Sequence, residues 1–237
     1  MGLRLASYNV HKCVGTDRKR DPGRIVDVLN SVSADVMALQ EVDRRMPPRP
    51  AALPREMIER DTDYAALPFG LTEESLGWHG QTLLTRTGTE ALAIKRIELP
   101  GLEPRGAIMA ELAFPDGREL RVVGVHLGLI RRYRLMQLSA IRAALSRRRD
   151  LPTVIIGDFN EWSTHGGVDP IADTFRIHAP GHSFHANRPV AALDRVALGR
   201  GLHLRDAGVV DIPLARIASD HLPIWADVRL DTPVPAD

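Results

Sequence analysis

The chain has 237 residues, of which 44% are hydrophobic and 26% are charged, and its formal net charge is +1. This composition is typical of a globular protein with a sizeable core, and the small net charge argues against a broad electrostatic grip on nucleic acid. The single cysteine, Cys13, excludes an internal disulfide framework. No apolar run reaches the roughly 18 residues of a membrane-spanning helix. We expect a cytoplasmic monomer with a single domain over residues 1–231 and a short tail over residues 232–237.

The first predicted unit consists of a strand, a helix and a second strand. Residues 3–11 alternate between two faces, which predicts a strand that ends near Asn9. The Asp-Pro pair at residues 21–22 is a good helix start, and the apolar residues that follow keep helical spacing. Residues 35–41 then form an apolar strand with Glu41 at its end. If the two strands are parallel neighbours, this βαβ unit brings Asn9 and Glu41 close together.

The middle of the chain is predicted to be mainly strands. Residues 44–62 carry four prolines and indicate an irregular surface segment with a short helix near residues 55–60, which is either the rim of a cleft or a plain loop. The strands that follow are predicted over residues 80–86, 91–99, 106–114 and 119–127. The last two are joined by a segment containing Asp-Gly, which is a hairpin signal.

Two polar residues of this region have alternative interpretations. His126 lies on an otherwise apolar strand, where a single histidine is more often a satisfied core residue than a catalytic one. Arg105 precedes a strand and can either bind phosphate or be solvated. Residues 131–149 predict an amphipathic helix, and its arginines are interpreted as solvated cover rather than a nucleic-acid patch.

The helix leads to the most informative stretch of the chain. Residues 153–156 include β-branched residues in an apolar run, which predicts a buried strand, and Gly157 allows Asp158 and Asn160 to leave its end on the same side. A carboxylate there can orient a water or bind a hard cation, and an amide can donate to a phosphoryl oxygen. The alternative is an Asp/Asn-rich turn that closes the strand.

The last third of the chain adds two more polar positions. Residues 192–198 predict a short strand with Asp194 buried inside it, and such a carboxylate needs a partner. Residues 224–230 predict the final strand, and Asp220 and His221 stand just before it. This pair offers one oxygen ligand for a hard cation and one imidazole that titrates near neutrality.

Short segments in this order resemble the endonuclease/exonuclease/phosphatase superfamily of Mg-dependent phosphoesterases, which includes abasic-site endonucleases, deoxyribonucleases and sphingomyelinases. The matching segments span residues 7–223 and read SYNVH, LQEVD, GQTLLTR, VHLG, GDFN, LDRV and SDHLP. The resemblance implies an α/β (α+β) fold: a four-layer sandwich of two face-to-face mixed β-sheets flanked by helices.

The resemblance also implies roles for the strand-end residues. The ligands implied for Mg²⁺ or Mn²⁺ are Asn9, Glu41 and Asp220. Asp158 resembles the residue that orients or deprotonates the attacking water, and Asn160 and His126 resemble donors to the phosphoryl oxygens. His221 resembles the imidazole that contacts the phosphate, oriented by Asp194, and Arg105 is the expected substrate-binding residue.

The expected activity is hydrolysis of a phosphodiester by in-line attack of an activated water, with a divalent metal as cofactor. The substrate stays open between nucleic acid and a phospholipid or small phosphoester, with contacts expected from residues 44–79 and 161–190. The alternative is a phosphate-binding module without turnover. We expect activity to fall in acid as His126 and His221 change protonation.

Overall fold

The computed structural model describes residues 2–46, 48–163 and 166–231, and the predicted tail lies outside the described residues. The strands are β1 (Leu3–Asn9), β2 (Val36–Gln40), β3 (Tyr64–Ala66), β4 (Thr82–Arg86), β5 (Glu90–Glu98), β6 (Gly106–Ala113), β7 (Glu119–His126), β8 (Thr153–Asp158), β9 (Arg176–His178), β10 (Asp194–Leu198), β11 (Leu202–Val209) and β12 (Ile224–Leu230). The helices are α1 (Pro22–Val32), α2 (Arg55–Asp61), α3 (Arg131–Leu145) and α4 (Pro213–Ala218). Within the described ranges, no helix is long and apolar enough to cross a membrane.

The strands form two six-stranded mixed sheets. The first sheet has the order β11-β12-β1-β2-β4-β3, and the second has the order β5-β6-β7-β8-β10-β9. Each contains one parallel pair, β1 with β2 and β7 with β8, and its other neighbouring strands are antiparallel. Each parallel pair is joined by a crossover helix, α1 or α3, so both predicted strand–helix–strand units are confirmed.

Three apolar cores separate four layers. One core lies between α1, α4 and the first sheet, a second lies between the two sheets, and a third lies between the second sheet and α3. The alternation of β1 shows how the sequence builds two of them: Leu3 and Leu5 join the core between the sheets, whereas Ala6 and Tyr8 join the core beneath the helices. The predicted four-layer sandwich is therefore confirmed.

The parallel pairs bring polar residues to one edge of each sheet. Asn9 is opposite Gln40 at the end of β1, and His126 is opposite Asp158 at the ends of β7 and β8. Gly157 has a φ of 153°, and a Cβ there would lie 2.0 Å from the carbonyl oxygen of Val125. Because only glycine leaves this space free, it allows β8 to approach β7 closely beside Asp158.

Some predicted boundaries were wrong, and some elements were missed. The helix after residue 131 ends at Leu145 rather than at residue 149, and Asp194 is the first residue of β10 rather than an interior one. The strands β3 and β9 have only three residues each, which is too short for an alternation of apolar and polar residues to be recognised. The edge strand β11 leaves much of its length partly exposed on both faces, so its sequence lacks a clear apolar stripe.

Candidate active site

Asp158 lies at the end of β8, is 1% exposed and has four polar neighbours. The side-chain amide of Asn9 donates to its Oδ2 at 3.2 Å. The Nε2 atoms of His126 and His221 are 3.5 and 3.8 Å from the same oxygen. Its Oδ1 accepts from the backbone N–H of Asn160 at 2.9 Å. Residues from β1, β7, β8 and the entry to β12 therefore converge on one carboxylate.

A second carboxylate orients the imidazole of His221. Its Nδ1 lies 3.0 Å from Oδ2 of Asp194, and the hydroxyl of Ser183 donates to that same oxygen at 2.5 Å. The ring of Phe184 packs beside the imidazole with a centroid separation of 5.0 Å. Asp194 and His221 are both buried, so the imidazole is held between two carboxylates, Asp194 on one side and Asp158 on the other.

This arrangement gives Asp158 and His221 opposite charges at neutral pH. Burial raises the pKa of Asp158, and after the opposing effect of His221 and the reinforcing effect of Asp194 the pKa is about 6. Burial lowers the pKa of His221, but the carboxylates of Asp194 and Asp158 outweigh it and raise that pKa to about 10. Asp158 can therefore accept a proton at neutral pH, while His221 carries one.

The pKa of His126 is shifted in the opposite direction from that of His221. Burial and, to a lesser extent, the guanidinium of Arg105 hold the pKa of His126 well below its ordinary value. Its imidazole is therefore neutral at neutral pH and can still donate one hydrogen bond. Because the ring of His126 faces Asp158, the structure does not support the interpretation of His126 as a core residue alone.

The segment after Asp158 is held by a buried ion pair. Asn160 has a positive φ of 50°, and its side-chain amide donates to the carbonyl of Leu127 at 2.9 Å. The next residue, Glu161, accepts from Arg134 of α3 at 2.8 Å, and Arg134 also donates to the carbonyl of Leu129 at 2.6 Å. The prediction that the arginines of this helix are solvated cover is therefore wrong for Arg134, whose partner is distant in sequence and not visible in the helix pattern.

Two of the three predicted metal ligands, Glu41 and Asp220, line the same cavity. Glu41 follows β2, Asp220 precedes β12, and both line a cavity of about 290 Å³ that His126 also lines. Asn9, the third, is buried and is not among the residues that line this cavity, and the hydroxyl of Ser219 donates to its carbonyl at 2.7 Å, which ties the entry of β12 to the end of β1.

Glu41 is ionised and already has cationic neighbours. Burial raises the pKa of Glu41, but His126, Lys12 and His11 outweigh this and lower it to about 2, so the carboxylate is ionised. It forms an ion pair with the ammonium group of Lys12. Glu41 thus already faces positive charge in a partly buried position.

The donor set fits a hard divalent cation. Two carboxylates and one amide are oxygen ligands, which Mg²⁺ and Mn²⁺ prefer, and Mg²⁺ commonly keeps several water or substrate oxygens. Across the described ranges, no three Asp, Glu, His or Cys side chains converge as a metal site of their own. The set implied by the resemblance takes its third oxygen from Asn9, whose Oδ1 accepts from the backbone N–H of His11 at 3.1 Å.

Several residues that line the cavity were not singled out from the sequence, although all but Lys12 lie in residues 44–79, where substrate contacts were expected. They are cationic or imidazole side chains, namely Lys12, Arg44, Arg45, Arg49 and His79. Arg105, which was predicted to bind substrate, also lines the cavity, and its guanidinium donates to Glu103 at 2.8 Å. Substrate contacts were expected from residues 161–190 as well, but none of the described residues in that range lines this cavity.

His79 reaches the cavity through a strained turn. The backbones of Trp78 and Gln81 exchange hydrogen bonds of 2.8 and 2.9 Å, which leaves His79 and Gly80 as the two central residues. Their φ angles are 48° and 75°. Glycine adopts this backbone freely, whereas histidine does so at a cost of roughly 1 kcal/mol. Gly80 was the sequence signal for the turn, but nothing in the sequence indicated that His79 would lie at the cavity.

Comparisons with known proteins agree with this architecture. The model of the Endonuclease/Exonuclease/phosphatase family matches residues 6–221. The chain is similar to the uncharacterized protein YbhP of Escherichia coli K12, with 27% identity over 253 residues and 96% of each chain covered.

Two solved structures are similar in fold. The mannosyl-6-phosphatase of Bacteroides thetaiotaomicron has a TM-score of 0.77 at 18% identity and covers 96% of this chain and 100% of its own. D. rerio TDP2 in complex with a single-strand DNA product has a TM-score of 0.72 at 17% identity and covers 96% of this chain and 99% of its own.

Proposed function

The chain belongs to the endonuclease/exonuclease/phosphatase family, and from this premise we propose that it is a divalent-metal-dependent phosphoesterase that hydrolyses a phosphodiester. The observation that carries the proposal is the position of Asp158 beside the imidazoles of His126 and His221. A buried carboxylate with a pKa of about 6 lies within 4 Å of two imidazoles of different charge, beside a cavity lined by the carboxylates Glu41 and Asp220.

Each side chain has one task in this proposal. Asp158 orients the attacking water and accepts its proton, for which a pKa near the working pH is favourable. His221 is protonated and donates to a phosphoryl oxygen, and Asp194 keeps its ring in that orientation and charge state. The neutral imidazole of His126 and the amide of Asn160 donate to the same phosphoryl group, where negative charge grows as water attacks phosphorus.

Asn9, Glu41 and Asp220 would hold Mg²⁺ or Mn²⁺, which supplies charge stabilisation for the phosphoryl and leaving oxygens. In the same proposal, Arg105 contributes positive charge to the substrate at the cavity wall. Glu103 fixes the position of that guanidinium, so Arg105 does not lose side-chain freedom when the substrate binds.

The contact between Lys12 and Glu41 favours one alternative, a phosphate-binding module without turnover. An ammonium group beside Glu41 can substitute for the charge of a metal without supplying metal chemistry. The solved relatives do not choose the substrate class, since one is a mannosyl-6-phosphatase and another holds a single-strand DNA product.

Hydrolysis of bis-(p-nitrophenyl) phosphate tests the proposal against this alternative. We expect release of p-nitrophenol with Mg²⁺ or Mn²⁺ and none with EDTA, because the oxygen ligand set depends on a divalent cation for charge stabilisation. The monoester p-nitrophenyl phosphate should react more slowly. Phosphate binding that persists in EDTA, without turnover of either ester in any metal, would establish the binding module instead.

The pH profile of kcat/KM should be bell-shaped. Activity should rise as pH increases through about 6, where Asp158 loses its proton, and fall near pH 10, where His221 loses its own. The earlier expectation placed His221 on the acid side, but its two carboxylate neighbours move its titration to the alkaline side. The measurement is kcat/KM for the diester over this range, and an alkaline fall that survives in His221→Asn would contradict the assignment.

A further inference from the structure

The cavity beside Asp158 is lined by two differently charged parts of the chain. Strand ends contribute the carboxylates of Glu41 and Asp220, where the proposed metal would bind. The segment that follows β2 contributes three guanidinium groups to the same cavity, from Arg44, Arg45 and Arg49. A single phosphate held at the strand ends does not account for this second group of cations.

The cations near the strand ends are compensated by carboxylates. Lys12 contacts Glu41, and Arg105 donates to Glu103 at 2.8 Å. By contrast, the described part of the chain gives neither Arg44 nor Arg45 a carboxylate partner, and both side chains are exposed.

Arg49 forms no ion pair with a carboxylate in the described part of the chain, although Asp43 lies near enough to interact with it electrostatically. Its Nη1 lies 3.4 Å from Nδ1 of His79, and Nε2 of His79 lies 4.0 Å from a carboxylate oxygen of the exposed Glu98. The acidic residue nearest in sequence to this segment, Asp43, is buried and uses its two oxygens to accept from the backbone N–H groups of Leu76 and Gly77 at 2.8 and 3.1 Å.

We propose that Arg44, Arg45, Arg49 and His79 form a second anion subsite, which selects a small phosphodiester that carries an additional phosphate group. Guanidinium groups bind phosphate through paired hydrogen bonds, and His79 is held at the cavity by its strained turn. The cavity volume of about 290 Å³ is at the small end of small-molecule sites, which favours a compact ligand over a polymer. This inference rests on the proposed function for the position of the first phosphate.

Binding of two nucleotides by titration calorimetry tests the subsite. The probes are thymidine 5′-phosphate and thymidine 3′,5′-bisphosphate, which differ only in the second phosphate, and EDTA prevents turnover. We expect the wild type to bind the bisphosphate about tenfold more tightly or better, the scale of one hydrogen bond between charged groups. In Arg44→Ala/Arg45→Ala the two affinities should become nearly equal.

The matched control is Arg147→Ala/Arg148→Ala. These two arginines are also adjacent and exposed. They follow the C-terminal end of α3, whereas the N-terminal end of this helix follows the cavity-side end of β7. The control changes the net charge equally and should keep the preference for the bisphosphate. Equal affinities in the wild type, or an unchanged preference in Arg44→Ala/Arg45→Ala, would overturn the subsite.

The binding measurement is independent of catalysis. If neither nitrophenyl ester is hydrolysed in any metal, the proposed function fails, while the ratio of the two nucleotide affinities still decides whether the second subsite exists. If the diester is hydrolysed but that ratio is near one, only the subsite is rejected.

Discussion

Replacement of Asp158 by Asn should lower kcat for bis-(p-nitrophenyl) phosphate by about 10³-fold, the scale of a positioned general base. The amide has nearly the same size as the carboxylate and can still contact Asn9, which approaches its Oδ2 at 3.2 Å. It cannot accept a proton from water, however. The loss should therefore appear in kcat while the fold is retained, as monitored by circular dichroism and thermal unfolding.

The control for this prediction is Asp150→Asn. Asp150 is exposed and lies after α3, so the same chemical change there should leave kcat within about twofold of the wild type. If Asp158→Asn also retained wild-type kcat, Asp158 would not be the proton acceptor, and the neutral imidazole of His126 would be the next candidate.

Replacement of Arg134 by Met should lower the free energy of unfolding by about 3–5 kcal/mol. Arg134 is 5% exposed and its partner Glu161 is 3% exposed. Without the guanidinium, the buried carboxylate of Glu161 loses its ion-pair partner and keeps only Arg195, which donates to the Glu161 backbone carbonyl, as a nearby cation; the carbonyl of Leu129 also loses its donor. Urea denaturation at neutral pH measures the loss.

Two further variants identify the cause of that loss. Arg134→Met/Glu161→Gln removes the uncompensated charge and should recover a large part of the lost stability. Arg142 is on the same helix as Arg134, and Arg142→Met breaks its ion pair of 2.9 Å with Asp173, a residue between β8 and β9. Both side chains are about half exposed, so the effect should stay below about 1 kcal/mol. A similar loss in Arg134→Met and Arg142→Met would contradict a special role for the buried pair.

The strand pattern predicted the strand–helix–strand units and placed several candidate site residues at strand ends. An apolar run followed by a polar residue marked Asn9, Glu41 and Asp158, and the parallel pairing of consecutive strands explains why these ends meet at the same edge. The motif resemblance predicted the sandwich, which the two mixed sheets confirm. The chemical roles of these residues stay predictions.

Contacts between segments that are distant in the chain could not be predicted from the sequence. Ser183 supports Asp194 from a segment without periodicity, and Arg134 meets Glu161 across 27 positions. Local patterns report which side of one element is buried, but they do not report which loops of different elements approach each other. For the same reason the charge of His221 was misjudged, because its pKa depends on two carboxylates from other strands.

The cationic part of the cavity was predicted only as a segment, residues 44–79, and none of its arginines was singled out, for a related reason. Residues 44–62 were predicted as an irregular surface segment, and a run of arginines in such a segment is usually solvated. The structure places Arg44, Arg45 and Arg49 beside His79 at the cavity because backbone hydrogen bonds tie the segment to the turn at Gly80, including one from Val42 to the Gly80 carbonyl at 2.9 Å.

The central claim is that this cavity directs water to phosphorus, and hydrolysis of bis-(p-nitrophenyl) phosphate in ¹⁸O-labelled water tests it most directly. With Mg²⁺ present, mass spectrometry should find one ¹⁸O atom in the p-nitrophenyl phosphate product and none in the released p-nitrophenol. Label in the p-nitrophenol would show attack at carbon and would contradict the account, as would label incorporation that continues unchanged in EDTA.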